Sequence, residues 1–252
     1  MDKIIGLGNA LVDVLATLED DTLLEEMGLP KGSMQLIDDA KLQQINTRFS
    51  QMKTHQATGG SAGNAILGLA CLGAGTGFIG KVGNDHYGDF FRKNLQKNNI
   101  EDNLLTSEQL PSGVASTFIS QDGERTFGTY LGAAASLKAE DLTLEMFKGY
   151  AYLFIEGYLV QDHEMILHAI ELAKEAGLQI CLDMASYNIV ENDLEFFSLL
   201  INKYVDIVFA NEEEAKAFTG EEPEEALRVI AKKCSIAIVK VGANGSYIRK
   251  GT

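Results

Sequence analysis

Two short stretches carry residues able to do chemistry. Residues 4–15 read IIGLGNALVDVL, an apolar run in which an amide, Asn9, and a carboxylate, Asp13, stand four residues apart behind Gly6 and Gly8. Residues 58–64 read TGGSAGN: a strand ends in Gly59, Gly60 and Ser61, and an apolar helix starts at once with Asn64 in its first turn. Glycines at a strand-to-helix junction let a ligand approach the backbone, and the free N–H groups there suit an oxygen-rich guest. Asn64 adds a donor and an acceptor, as sugar hydroxyls require. The same glycines would also serve a tight turn with no ligand at all.

The first stretch also invites a dinucleotide reading, since a strand followed by G-x-G can open a phosphate-binding turn. That fingerprint needs a third glycine three residues on, and Leu11 stands there. The residues that follow, LVDVLATL, alternate and β-branch like a second strand, whereas a pyrophosphate site needs a helix. A Rossmann-type NAD oxidoreductase is therefore the weakest of the readings carried forward.

The elements that must hold these residues can be read from periodicity. Strand-like runs occur at IIGLG, 33–37, 55–58, 76–82, 115–120, 126–131, 152–157, 179–184, 206–211, 236–241 and 246–250. DDAKLQQINTRFSQM, HEMILHAIELAKEAG and EEALRVIAKKC place apolar residues at helical intervals, and Thr22 with Glu25 could form a capping box. From residue 150 onward strands alternate with helices, which predicts βαβ units around a mainly parallel sheet. The earlier half is less regular. Strands at about 10–18, 33–37 and 113–131, the last joined by an Asp122-Gly123 hairpin, predict a small sheet standing off the main body as a lid.

The 252 residues suit one α/β domain, and a formal net charge of -15 disfavours nucleic acid and acidic membrane as partners. Local amides can still bind a small phosphorylated ligand against that field. Cys71, Cys181 and Cys234 lie far apart in apolar contexts, which predicts buried free thiols in a reducing, cytoplasmic setting. No apolar run reaches membrane-spanning length, and the first residues do not read as a signal peptide.

Three tempting motifs fail. GTGFIGKV (75–82) resembles a P-loop, but Val82 replaces the hydroxyl that would hold Mg²⁺. HEMILH has His163 and His168 five apart, about 140° around a helix, so both read as solvated. Asn244-Gly245-Ser246 reads as a type I′ turn between two strands and not as a glycosylation acceptor.

Taken together, G-N-x-x-x-D from Gly8, G-G-S-x-x-N from Gly59 and G-K-V-G-x-D-x-x-G from Gly80 resemble the ribokinase-like (PfkB) family of sugar and nucleoside kinases. The likeness continues through GERTFGTYLGAAASL (123–137), VDIVFANEEEAKAFTG (205–220) and IVKVGANGS (238–246), and looks closest to the adenosine-kinase-like branch. It implies a three-layer α/β/α fold with a β lid, and ATP-dependent phosphorylation of a sugar or ribonucleoside hydroxyl with Mg²⁺. Asn9, Asp13, Gly59, Gly60, Ser61 and Asn64 would then hold the guest. Asn211 and Glu214 match the family's N-x-x-E motif, with Glu214 reaching Mg²⁺ through water. Lys240, Gly242 and Gly245 fall on its nucleotide-edge motif, and Arg125 matches an arginine that can swing over the transferring phosphoryl group. Exposed lid strands could also pair two chains into a homodimer.

The family's D-T-x-G-A-G-D signature, whose last aspartate takes the proton from the attacking hydroxyl, does not occur in these residues. The expectation is a C-terminally incomplete kinase domain with a competent guest site and negligible turnover. The alternative from another class is a non-catalytic sugar- or nucleoside-binding module. Tight guest binding with no contribution from ATP, even in a chain extended through that signature, would distinguish it.

Overall fold

The computed structural model describes residues 2–251. Met1 and Thr252, the outer bounds of the single domain read from sequence, lie outside the described residues. The chain begins with β1 (Ile4–Leu7), β2 (Leu11–Thr17), α1 (Thr22–Met27), β3 (Met34–Leu36), α2 (Asp39–Phe49) and β4 (Thr54–Gly59). Next come α3 (Ser61–Cys71), β5 (Thr76–Gly83), α4 (His86–Lys97), β6 (Ile100–Ser107), β7 (Gly113–Ile119) and β8 (Arg125–Tyr130). After three short 3-10 turns follow β9 (Tyr152–Glu156), α5 (His163–Glu175), β10 (Gln179–Asp183), α6 (Tyr187–Asn192) and α7 (Leu194–Lys203). The described chain closes with β11 (Ile207–Asn211), α8 (Glu212–Thr219), α9 (Pro223–Ala231), β12 (Ile236–Lys240) and β13 (Ser246–Lys250).

Eight strands form one sheet in the order β13-β12-β11-β10-β9-β1-β5-β6, parallel throughout except for the last hairpin, β12–β13. Ile5 and Leu7 of β1 point to one face, into a core shared with α5, α7 and α9. Gly6 points to the other, where Ile66 of α3 and Phe78 of β5 close on it. Helices thus cover both faces, as parallel sheets demand, and β5 is buried along almost its whole length. β1 pairs with β5 on one side and β9 on the other, so the winding reverses at its C-terminal end. Open α/β sheets leave a crevice at that point. β1 ends there at Leu7, and Asn9 follows.

Five further strands make a second sheet, in the order β3-β8-β7-β2-β4. It contains β2, β3, β7 and β8, the segments expected to stand off the main body. It also contains β4, whose run at 55–58 had been given no place there; it pairs antiparallel with β2, Asp13 opposite Ala57. In β2 the alternation is strict: Val12, Val14 and Ala16 are buried, while Leu11, Asp13 and Leu15 face the other side. The β7–β8 hairpin turns at Asp122 and Gly123 as its sequence requires.

Several local expectations are corrected. Thr22 does not cap α1, because Asp21 holds the N-cap position and its carboxylate is drawn off to Lys31 and Ser120. The turn at Asn244 is 3-10 (Gly242–Asn244); only Gly242 and Gly245 have positive φ there, whereas a type I′ turn needs it at Asn244 as well. Cys71, at the end of α3, is exposed; Cys181 is buried and Cys234 half-buried. His163 is not simply solvated: its ring stacks on Phe196 at 3.8 Å and meets Asp193 at 3.0 Å. Strand β6 was not anticipated, since IEDNLLTS is too polar to read as a strand and lies at the sheet's edge.

Candidate active site

Asn9 leaves β1, Asp13 sits in β2, and Gly59 to Ser61 bridge β4 and α3, so three segments distant in sequence are drawn to one place. The contacts are direct. A Cβ on Gly59 would collide with the Asp13 carboxylate, and one on Gly60 with the backbone oxygen of Asn9. Gly60 also has φ 83°, a left-handed backbone that side chains resist. Only glycine satisfies both positions, so here these residues do more than turn the chain.

A cleft of about 230 Å³ opens at this convergence. Its floor is polar: Asn9, Gly60, Ser61 and Glu156. Its walls are mainly apolar, with Leu11, Met34, Leu36 and Leu131 from the small sheet and its exit and Tyr158 and Ile189 from the main body, and Thr129 and Gln161 add two polar side chains. Asp13 lies beside this floor, against Gly59. Burial pushes its carboxyl above the usual aspartate range, and the positive charge of Arg125 partly counters that. Arg125, exposed at the start of β8 and 5.7 Å from the Phe127 ring, therefore faces Asp13 electrostatically. Asn64 is in the first turn of α3 but exposed, outside the cleft's lining.

Glu156, at the end of β9, was missed by sequence reasoning. It is 1% exposed and its carboxylate accepts four hydrogen bonds, from Asn9 N, Asn9 Nδ2, Ser61 Oγ and Ala62 N, at 2.7–3.0 Å. Burial pushes its carboxyl upward, while those four donors pull it back. A lone glutamate ending an apolar strand carries no spacing signal. Its one clue was a charge in a run, YLFIEG, that is otherwise apolar but for its tyrosine.

A second group gathers at the neighbouring strand ends. Asn211 and Glu214 form a reciprocal cap on α8: Glu214 N donates to Asn211 Oδ1 at 2.8 Å, and Asn211 N and Nδ2 donate to the Glu214 carboxylate at 2.7 and 2.8 Å. Glu214 is 3% exposed, and burial together with the charge of Asp183 pushes its carboxyl up. Lys240 reaches Asp183 Oδ2 at 3.3 Å. Tyr158 links the two groups, its phenol pushed up by burial and by the charges of Glu156, Glu214 and Asp183. Gly242 and Gly245 lie just beyond, in the exposed turn after β12. A wider depression of about 690 Å³ near His163 is lined by Glu191, Asp193 and Glu195, a poor setting for a phosphorylated guest.

Among the described residues no helix is long and apolar enough to cross a membrane. Comparison with known proteins places this arrangement. The chain is 27% identical over 230 residues to guanosine-inosine kinase of Escherichia coli (strain K12), a match covering 86% of the chain and 53% of that relative. It is 25% identical over 260 residues to adenosine kinase 2 of Arabidopsis thaliana, covering 98% and 72%. The chain thus spans about half the length of the guanosine-inosine kinases it matches. Among solved structures, a probable sugar kinase protein from Rhizobium etli superposes with a TM-score of 0.86 at 32% identity, covering 99% of this chain and 77% of that one. Adenosine kinase from Sinorhizobium meliloti does so with a TM-score of 0.85 at 32% identity, covering 100% and 78%. The family model for pfkB family carbohydrate kinases matches residues 33–252, and the chain belongs to that family.

Proposed function

We propose that this chain forms the guest-binding body of an ATP-dependent kinase acting on a hydroxyl of a ribonucleoside. The observation that carries the reading is one cleft that joins a polar floor to mainly apolar walls. A free sugar is ringed by hydroxyls and would leave those walls poorly used. A nucleoside sets its ribose on the floor and its flat base between Leu11, Leu36, Leu131 and Tyr158. The names of the similar proteins include nucleoside and sugar kinases alike, so they support a kinase of this substrate range and the choice of a nucleoside rests on the cleft.

Asp13 would accept hydrogen bonds from two ribose hydroxyls, and the amides near Gly60 and Ser61 would face the remaining oxygens. That grip fixes which hydroxyl faces the phosphoryl donor. Asn211, Glu214, Lys240, Gly242 and Gly245 would line the ATP side. The side-chain atoms there that could face a metal are oxygens, and the charge of Asp183 at the end of β10 acts on the buried carboxylate of Glu214 in α8. This fits a hydrated Mg²⁺ held through water, since both oxygens of Glu214 already accept from Asn211. The chemistry such an ion would supply, when held there, is positive charge against the phosphate oxygens. Arg125, close enough to act on Asp13, would lend its charge to the transferring group. The small sheet would close as a lid to exclude water, and its edge strands β3 and β4 could pair in a homodimer. Unpaired thiols agree with a cytoplasmic setting.

Calorimetry with adenosine, inosine and ribose tests the proposal. Nucleosides should bind at least about tenfold tighter than ribose; equal binding, or ribose alone, would overturn it. Phosphoryl transfer is assayed beside a chain extended through a D-T-x-G-A-G-D segment, and turnover is expected from the extended chain only.

A further inference from the structure

Glu156 is the most deeply buried charge in the cleft, and no step described above uses it. Its setting is built for it. Oε1 takes both nitrogens of Asn9, Oε2 takes Ser61 Oγ and the Ala62 amide, and a Cβ on Gly8 would stand 2.7 Å from Oε2. The ends of β1 and β9 and the start of α3 therefore meet on one carboxylate.

This fixes the sense of the Asn9 amide. Turned over, its Oδ1 would face a carboxylate oxygen at hydrogen-bond distance, and two acceptors would repel. Nδ2 is thereby committed to Glu156. Oδ1 has no partner among the described residues, and it is not among the side-chain atoms sealed without one, as the hydroxyls of Thr76 and Ser116 are. It is the polar atom that Asn9 can offer to the cleft it lines.

We propose that Glu156 is a positioning residue that locks Asn9 as a pure hydrogen-bond acceptor, so that position 9 selects guests presenting an O–H or N–H donor there. The inference rests on the reading of the cleft as a nucleoside site, but its first test does not. In the nitrogen-15 NMR spectrum, the Asn9 side-chain NH₂ protons should exchange with solvent far more slowly than those of the exposed Asn64, with no ligand present. Equal exchange would overturn the proposal whatever the cleft binds, and this measurement needs no variant. Absence of nucleoside binding by the wild type would overturn the functional reading alone.

The second test is Glu156→Gln, nearly identical in shape. Its amide has one acceptor oxygen for four donors, so its NH₂ must oppose either Asn9 or the Ser61–Ala62 pair. Adenosine affinity should fall roughly ten- to a hundredfold by calorimetry, the loss of one oriented acceptor at Asn9, while affinity for a non-hydrolysable ATP analogue stays unchanged. Adding Asn9→Asp gives the introduced NH₂ an acceptor and should recover part of the order on that side, seen as slower exchange of the side-chain NH₂ protons at position 156. A parallel fall in guest and nucleotide affinity would mean a merely structural carboxylate, and unchanged adenosine affinity would mean that Asn9 needs no lock; either result overturns the proposal.

Discussion

Asp13 is held where it is least comfortable. Its carboxylate is partly withdrawn from water, lies against Gly59, and has only the more distant Arg125 as a counter-charge. An ionised group in such a place opposes folding at neutral pH. Because its folded pKa is raised, the folded state binds the proton more tightly than the unfolded chain. Stability from this group is therefore highest below about 3.8, its unfolded value, and declines as pH climbs through the raised folded value. Asp13→Asn removes that charge without changing shape. Its thermal midpoint at pH 7 should equal or exceed that of the wild type, while affinity for adenosine drops about a hundredfold, two charge-assisted hydrogen bonds being weakened. A midpoint several degrees lower would mean that the carboxylate serves the fold and not a guest. Asp13 was legible because it is polar in a strand that alternates. Glu156 was not, because its role depends on three segments that only the fold brings together.

At the scale of elements, junctions decide the geometry. Asp85 caps α4 by accepting from the Tyr87 and Gly88 amides, and it also takes the Ser112 amide at 2.7 Å and the Ser112 hydroxyl at 2.7 Å. One side chain thus starts a helix of the main body and anchors the chain as it enters β7 of the small sheet. Burial raises its carboxyl, but the four hydrogen bonds outweigh that and hold it below the ordinary range. The stabilisation it gives is present above about 3.8 and is lost as pH falls through the lower folded value. Asp85→Ala should cost about 2 kcal/mol from the cap alone, read as a lower urea midpoint at pH 7, and should flatten the acid limb of the stability curve. Gly60→Ala should cost about 1–3 kcal/mol from its φ alone, with adenosine binding lost because the clash falls on Asn9. The parallel βαβ half was readable because buried strands and amphipathic helices differ in period. The α1 cap and β6 were misread or missed because Lys31 and Ser120 for Asp21, and the edge position for β6, overrode local preference, whereas the β12–β13 turn closes as a local 3-10 turn through Asn244 N to Val241 O.

At the scale of the whole molecule, the chain passes between the two sheets four times: Leu7 to Leu11, Gly59 through α3 to Thr76, Ser107 to Gly113, and Tyr130 to Tyr152. The cleft takes Asn9 from the first crossing, Gly60 and Ser61 from the second and Leu131 from the fourth, so a guest seated there touches both bodies at once. Met34 and Leu36 of β3 contribute to its walls, yet both are exposed, at 47% and 65%. Large apolar side chains left in water beside an apolar slot favour any state in which something covers them. A base sandwiched between Leu36 and the main body would supply that cover and draw the small sheet inward. Hydrogen exchange read by mass spectrometry separates this from a fixed cleft. With saturating adenosine, exchange should slow several-fold in β2, β3 and β8 and remain unchanged in β9 to β12 away from the site, because the eight-stranded sheet is already closed by its own core. Slowing confined to Asn9, Gly60 and Ser61 would show a guest bound without closure, and uniform slowing across both sheets would show global stabilisation by mass action alone. The apolar rim ties these outcomes to one residue. Leu36→Ser should leave the thermal midpoint of the free protein within about 2 °C, since its side chain is mostly solvated already. It should nonetheless abolish most of the adenosine-dependent protection in β3 and β8, because the surface whose burial would drive closure is gone.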